Sequence, residues 1–293
     1  MLKTIHFSTI GCGRLGTNLT IRLKKAGHVP VGISARHLDS IKSLNNIIEA
    51  QSVDTIPWKV TKNADVIFIT TPDDYIQTVC QQLVDNKGFN PNAIVYHCSG
   101  SLPSTVLDGA RSVGLKVGSF HPLQSFPSKQ MECNPFEGIF VSVEGDPIAV
   151  KLGKKIADDL KADVVEISTN EKKLYHAAAV VASNYLVTLL DMAKQFNIKA
   201  GMPENIALKV LKPLIQGTLS NIEQQGIPDA LTGPVSRGDI QTIKNHIEDI
   251  NKKLPDFLKL YKILGTHTVP IAKSKKTISD KKTSSLIDLF DQK

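Results

Sequence analysis

Aromatic residues make up only 5% of this 293-residue chain, and there is a single Trp. The four cysteines, Cys12, Cys80, Cys98 and Cys133, are far apart and form no C-x-x-C pair. That excludes a disulfide framework or a zinc site and suits reduced thiols in a cytoplasmic protein. Long apolar runs are also missing. The longest, Ala177 to Leu190, is interrupted by Ser183, Asn184, Tyr185 and Thr188. It reads as too short and too polar to span a bilayer, so no membrane partner is expected. The apolar run near residue 5 is short and lacks a small-residue cleavage site, so a strand is expected there rather than a signal peptide. There is no internal repeat and no Gly/Ser-rich linker. The formal charge of +7 is unevenly placed: from Lys259 onward there are eight lysines and three aspartates. A nucleic-acid surface would want basic residues on one folded face with aromatics between them, and this end has almost none. A solvated, partly disordered basic tail over 267–293 is expected instead, in which the short apolar cluster Leu286 to Phe290 could dock as a terminal helix, and nucleic acid is not an expected partner.

What the chain does have is 41% hydrophobic residues, enough for two packed domains or one large one. Its most informative stretch is Thr4 to Gly16. The apolar run Ile5 to Ile10 is followed by Gly11-Cys12-Gly13-Arg14-Leu15-Gly16 and then by a helical pattern. Strand, G-x-G-x-x-G turn and helix in that order point to a dinucleotide site. Gly11 would allow the tight turn, Gly13 the approach of a pyrophosphate, and Gly16 close packing of helix on strand. The first amides of such a helix lack partners and carry the positive end of its dipole. An ordinary strand-to-helix turn with extra glycines is the competing account.

The second strand, Val29 to Ser34, ends in Ser34-Ala35-Arg36-His37, with no acid until Asp39. An acid there would bind a ribose 2′-hydroxyl and favour NAD. A hydroxyl and a guanidinium suit a 2′-phosphate, so Ser34 and Arg36 predict NADP rather than NAD. Further strands are expected near Thr55–Lys59, Ala64–Thr70, Ala93–Cys98, Leu115–Phe120, Ile139–Val143 and Val164–Ile167. Thr70, Thr71 and Pro72 follow one of these, where a dinucleotide would lie, and Asp73 is placed to cap the next helix. The strand–helix alternation predicts an α/β fold, a doubly wound Rossmann-type domain over 1–169. An all-helical domain over 170–266 follows, opening with a long helix from Asn170 to about Asn197.

The motifs GCGRLG at 11–16, HCSGS at 97–101, GSFHPLQSF at 118–126, LYHAAAVVASNYLVTLL at 174–190 and LTGPVSRGD at 231–239 resemble a group of bacterial two-domain proteins. These have a Rossmann-like N-terminal half and a helical C-terminal domain of unknown function, and are filed as NADP-dependent oxidoreductases. The resemblance covers about residues 1–265. More distantly the chain is similar to pyrroline-5-carboxylate reductase, ketopantoate reductase, prephenate dehydrogenase and 6-phosphogluconate dehydrogenase. This implies hydride transfer between NADP(H) and a small carbonyl, imine or hydroxyl compound in an interdomain cleft. It also implies a homodimer through the helical domain. Several of those relatives carry Lys and, four residues later, Asn on the long helix, a pair this chain lacks. A non-catalytic NADP-binding or sensing protein is therefore the alternative.

At about 100° per residue, His176 and Ser183 fall within roughly 20° of each other on that helix, Lys172 about 40° away and Asn184 about 80° away. A polar stripe on a helix expected to be mostly buried needs partners: a cofactor, a small and anionic substrate, or the neighbouring domain. Reduction of a carbonyl or imine needs a proton donor, and histidine titrates near neutrality. His176 and His121 are the candidate acids, with Ser99, Ser183 or Asn184 orienting the substrate. His97 and His28 read as structural. Arg237 reads either as a carboxylate ligand or as a turn-fixing residue.

Overall fold

The computed structural model describes residues 4–291. The chain divides into two compact units, residues 1–182 and 183–293. The first is built on eight strands among the described residues: β1 His6–Ile10, β2 Val29–Ser34, β3 Ser52–Asp54, β4 Val66–Ile69, β5 Ile94–His97, β6 Lys116–Pro122, β7 Phe140–Gly145 and β8 Asp163–Glu166. Their order across the sheet is β3-β2-β1-β4-β5-β6-β7-β8. All neighbours are parallel except β6 and β7. The chain moves outward from β1 to β2 and β3, then returns to the other side of β1 as β4. The strand order thus reverses between β1 and β4, the position at which such sheets bind ligands beyond their carboxyl ends.

Val66–Ile69 is apolar at every position and buried on both faces, as a central parallel strand must be. Helices α1 Arg14–Lys25 and α5 Pro147–Asp159 pack on one face, over Phe7, Phe68, Tyr96, Phe120 and Val143. Phe68 and Tyr96 stack at 5.5 Å between ring centroids, and Phe120 meets both edge-on. Tyr96 can be buried because its hydroxyl donates to the Ala149 carbonyl at 2.5 Å. The other face is covered by α3 Asp73–Asp85 and the short α4 Asp108–Ser112, over Ile67, Ile69, Val95 and Val117. Each such side chain contributes roughly 1.5–3 kcal/mol by leaving water. Helix α2 Leu38–Ile48 buries Ile41, Leu44 and Ile48 beside Ile33.

Two local differences from the expected elements have clear causes. The third strand lies at Ser52–Asp54, because Ile56-Pro57 opens a 3₁₀ turn over Pro57–Lys59, where Pro offers no amide to a ladder. Asp73 is the first residue of α3 and not its cap. Its carboxylate is taken by two hydroxyls from the next strand's turn.

The long helix begins with a 3₁₀ turn at Thr169–Glu171. It continues as α6 Lys172–Val180, a π turn Val181–Tyr185, and α7 Leu186–Lys199. The unit boundary falls in that π turn. Expected to be mostly buried, the helix is instead mostly exposed: in α6 only Lys172 is buried, and in α7 only Met192. Over Thr169–Lys199 it is also long and apolar enough, by length and composition, to cross a membrane.

The second unit continues with α8 Glu204–Ala207, α9 Lys212–Gln225, α10 Ile227–Ala230, α11 Gly233–Arg237, α12 Ile240–Lys253, α13 Leu258–Ser274 and α14 Asp280–Asp291. Asp239 caps α12 by accepting from the Thr242 amide at 3.1 Å. Arg237 is exposed, and its carbonyl accepts from Lys282. The basic end is helical up to Asp291. Leu286, Leu289 and Phe290 lie on one helical face and pack against Ile243, Val269 and Ala272. A Cβ on Gly265 would meet the Phe290 ring at 2.3 Å, so only glycine lets α13 and α14 close to this distance.

Candidate functional site

The turn after β1 is held by backbone. The Gly11 amide donates to the Ser34 carbonyl at 2.7 Å, and the Gly13 amide to the Gly11 carbonyl at 2.8 Å. Gly11 has φ +100°, and a Cβ there would stand 2.7 Å from the Thr71 amide nitrogen. At Gly16 a Cβ would stand 2.2 Å from the Gly11 carbonyl oxygen. Thr70 closes this contact by donating its hydroxyl to that same oxygen at 2.6 Å. Gly13 is different. Its φ is an ordinary −77°, and a Cβ there would meet nothing within 4 Å. The residue has no packing reason to be glycine; what its lack of a side chain leaves is open space beside the start of α1.

The first internal bond of α1 runs from the Thr17 amide to the Gly13 carbonyl. The amides of Arg14, Leu15 and Gly16 precede it. No side chain caps this end, and the first turn holds no acid. Next to this helix start, at Gly13, is a cavity of about 470 Å³ lined by Gly11, Cys12, Gly13, Ser34, Arg36, Thr70, Thr71 and Pro72, among others. Arg36, His37 and Lys129 line it too, and no carboxylate does, among the described residues. The Thr71 hydroxyl is buried without a partner. Burial pushes the Cys12 thiol up to about 12, so it stays neutral beside an anion. A helix end with free amides, a cationic rim and an unpaired hydroxyl together fit a dinucleotide diphosphate. Leu15, half-buried, packs against the core beneath this end.

A second constellation lies at the carboxyl ends of β5 and β6. Ser99 donates its hydroxyl to Asp73 at 2.8 Å and accepts from the amides of Ser101 and Leu102 at 3.1 and 3.0 Å. Its proton and lone pairs are therefore committed to shaping the turn, which departs from its expected role of orienting a substrate. His97 accepts the Ser99 amide at Nδ1. Burial, with Lys172 adding to it, pushes its pKa down to about 3, so it is a neutral structural ring. His28, equally buried, pairs with Asp159 at 3.2 Å.

Above this turn stand His121 and His176, with ring centroids 6.2 Å apart. A Cβ on Gly100 would lie 2.6 Å from His176 Nδ1 and 2.7 Å from His121 Nε2. Glycine at 100 thus lets two imidazole nitrogens converge on one point of the backbone. His176 Nδ1 is buried with no protein partner. His121 Nδ1 meets the Tyr175 hydroxyl at 3.2 Å. Burial, then Lys172 and His176, push the His121 pKa down to about 4. The ring is thus neutral at physiological pH. It is a poor donor of the kind first expected; being unprotonated it has a free site for a proton, though the same burial weakens it as a base.

Lys172, placed by the sequence on the polar stripe but given no role in the chemistry, is central to this constellation. It is fully buried and bonded to the Ser119 hydroxyl. Burial lowers its pKa to about 8, with Glu144, Cys98 and Asp73 pulling the other way. Glu144, also buried, accepts from the Ser104 amide and the Ser104 and Thr169 hydroxyls. Which partner the stripe's lysine finds has no signature in the sequence; the antiparallel β6–β7 pair, which brings Ser119 opposite Glu144, encloses it. Ser183 and Asn184 are exposed on the π turn. That turn breaks the regular 100° spacing that aligned Ser183 with His176.

Residues 3–122 match the Rossmann-like domain family, and residues 139–268 match a domain of unknown function, DUF2520. The chain joins a Rossmann-like domain to a DUF2520 domain. Among solved structures it is similar to a Bacteroides fragilis protein assigned as an NADP oxidoreductase, at 27% identity and TM-score 0.72, covering 93% of this chain and 98% of that one. It is similar to protein TM1727 of Thermotoga maritima at 28% identity and TM-score 0.73, covering 92% and 99%. A Plasmodium falciparum pyrroline carboxylate reductase with NADP bound shares the fold at 13% identity and TM-score 0.61, covering 99% and 100%. No curated protein matches.

Removing the Lys172 charge should favour the protonated form of His121. NMR titration of the ring in Lys172→Met should show its pKa rising from about 4 part-way toward 6.5, since burial remains. Lys172→Arg should stay near the original value. A pKa that is unmoved or falls in Lys172→Met would contradict this coupling.

Proposed function

We propose that the chain is an NADP-dependent oxidoreductase acting on a small, anionic carbonyl, imine or hydroxyl compound in the cytoplasm. The observation that carries this reading is the open space at Gly13, below three unpaired amides and within a cavity whose charged lining is cationic. When bound, the nicotinamide ring supplies or takes the hydride. The amides of Arg14, Leu15 and Gly16 hold the diphosphate, and Gly13 allows its approach. Arg36 is exposed at the end of β2 with no ion pair among the described residues, and it takes the 2′-phosphate. The first acid after β2, Asp39 in the first turn of α2, does not line the cavity, and Asp54 on the neighbouring strand is occupied by the Ile56 amide and Lys59. The similarity to the Bacteroides protein and to the NADP-bound reductase supports the same choice.

His121 handles the proton. In its neutral state Nε2, beside Gly100, accepts a hydroxyl proton as a carbonyl forms and returns it in the reverse direction. His176 Nδ1 offers a second contact to the same oxygen. The free thiols suit the cytoplasmic reading.

Fluorescence titration should show NADPH bound at least roughly tenfold tighter than NADH, with Arg36→Ala removing the difference. His121→Asn should abolish consumption of NADPH with keto acids or cyclic imines while leaving its binding intact. Equal affinities throughout would end the NADP assignment, and unimpaired turnover in His121→Asn would end the proton role.

A second copy of the chain is the proposed partner for the helical region. Leu174, Val187 and Leu214 are 71%, 68% and 68% exposed, a density of bare apolar side chains that a lone surface helix does not normally carry. Sedimentation should give a dimer that Leu214→Asp converts to monomer. A wild-type monomer, or one that associates with lipid vesicles through Thr169–Lys199, would contradict it.

A further inference from the structure

The segment joining β6 to β7 reaches the cavity at Lys129, and its position is fixed from α1. Asn18 is 1% exposed. Its side-chain amide donates to the Ser128 carbonyl at 2.9 Å, and its carbonyl accepts from the Met131 amide at 3.1 Å. One buried carboxamide therefore grips the chain on both sides of Lys129. One turn further along α1, Arg22 donates to the carbonyls of Met131, Glu132 and Cys133 at 2.6, 3.0 and 2.5 Å. Before the strap, Phe126 packs on Phe136 at 5.5 Å. Loops ordinarily bind through their own turns; here a helix spends a buried Asn and an Arg on holding one.

Lys129 lies between these anchors and lines the cavity beside Cys12 and Gly13. It has no hydrogen bond or ion pair among the described residues. Its charge acts on the Cys12 thiol in the glycine turn. Arg36 lines the same cavity, so two cations face it without a counter-ion in the protein. An anion between them would relieve that repulsion.

We propose that Lys129 is a cofactor-binding residue, carried by the Asn18- and Arg22-anchored strap to the diphosphate of the dinucleotide. This rests on the reading of the glycine turn as a dinucleotide site. Arg36, at the end of β2, serves the 2′-phosphate, whereas Lys129, placed over Cys12 and Gly13, serves the group shared by NADPH and NADH. It adds a mobile point charge to a site otherwise made of backbone amides. Asn18 is a positioning residue that acts through Lys129.

The test uses the full chain and fluorescence titration with NADPH and NADH at low and raised salt. Lys129→Gln should weaken both coenzymes by a similar factor, roughly tenfold, and flatten the salt dependence. Lys129→Arg should restore most of the affinity. ADP, which carries the diphosphate, should weaken in Lys129→Gln, and 2′-AMP, which lacks it, should not. Asn18→Ala should weaken ADP in the same way only while Lys129 is present. Unchanged affinities in Lys129→Gln would overturn the assignment while leaving the dinucleotide site standing. So would a loss confined to NADPH and 2′-AMP. A wild-type chain that binds neither coenzyme would overturn both.

Discussion

The structure depends on one contact between backbones. The turn leaving β1 and the turn leaving β4 touch with no side chain between them. A methyl group at Gly11 or Gly16 would collide with main-chain atoms at 2.7 and 2.2 Å. Thr70 seals the contact with its hydroxyl on the Gly11 carbonyl. Because the strand order reverses at this pair, the contact defines the floor of a crevice. The first amides of α1 are left without helical partners beside that crevice, which the unpaired Thr71 hydroxyl also lines. Substitutions that only crowd the floor damage the fold, whereas those at Gly13 reach the ligand space.

A second constraint is electrostatic. Lys172 places a positive charge inside unit 1 with Ser119 as its bonded partner and Glu144 and Asp73 near it. Burying such a charge is costly unless it is compensated. The compensation comes from Ser119 on β6, Glu144 on β7 and Asp73 at the start of α3, while the lysine's own charge, added to burial, keeps His97 and His121 neutral. Two histidines of similar appearance in the sequence thereby acquire different duties. His97 spends Nδ1 on the Ser99 amide, while His121 keeps Nε2 facing Gly100. Stability depends on pH for the same reason. A folded His121 pKa of about 4, below the ordinary 6.5, means the unfolded chain binds more protons between those values. The native state therefore loses stability as pH falls through that window.

Much of this was legible in the residues. The run Val66–Ile69 could only be a doubly buried strand, and G-x-G-x-x-G between strand and helix marked the crevice. The placement of Arg36 just after β2 and of His121 near the end of β6 was also readable. Other features needed three dimensions. Asp73 has the local look of a cap, but Ser99 and Ser101 reach it from the adjoining strand's turn, 26 and 28 residues away. The π turn at Val181–Tyr185 has no signature in spacing, so angles drawn through it misplace Ser183 and Asn184. Lys172 is enclosed by an antiparallel pair that strand–helix alternation does not announce. The basic end looked solvated by composition, but the apolar cluster Leu286 to Phe290 within it was readable as a docking helix, and Leu286, Leu289 and Phe290 do pack.

Calorimetric titration of Gly13→Val with NADPH tests the central claim most directly. The new side chain enters open space at an ordinary φ of −77°, so the fold should survive within about 1 kcal/mol. The account predicts a protein that melts near the wild-type temperature but binds NADPH at least roughly tenfold more weakly, because the diphosphate can no longer approach the amides. A folded Gly13→Val protein with wild-type affinity would contradict it.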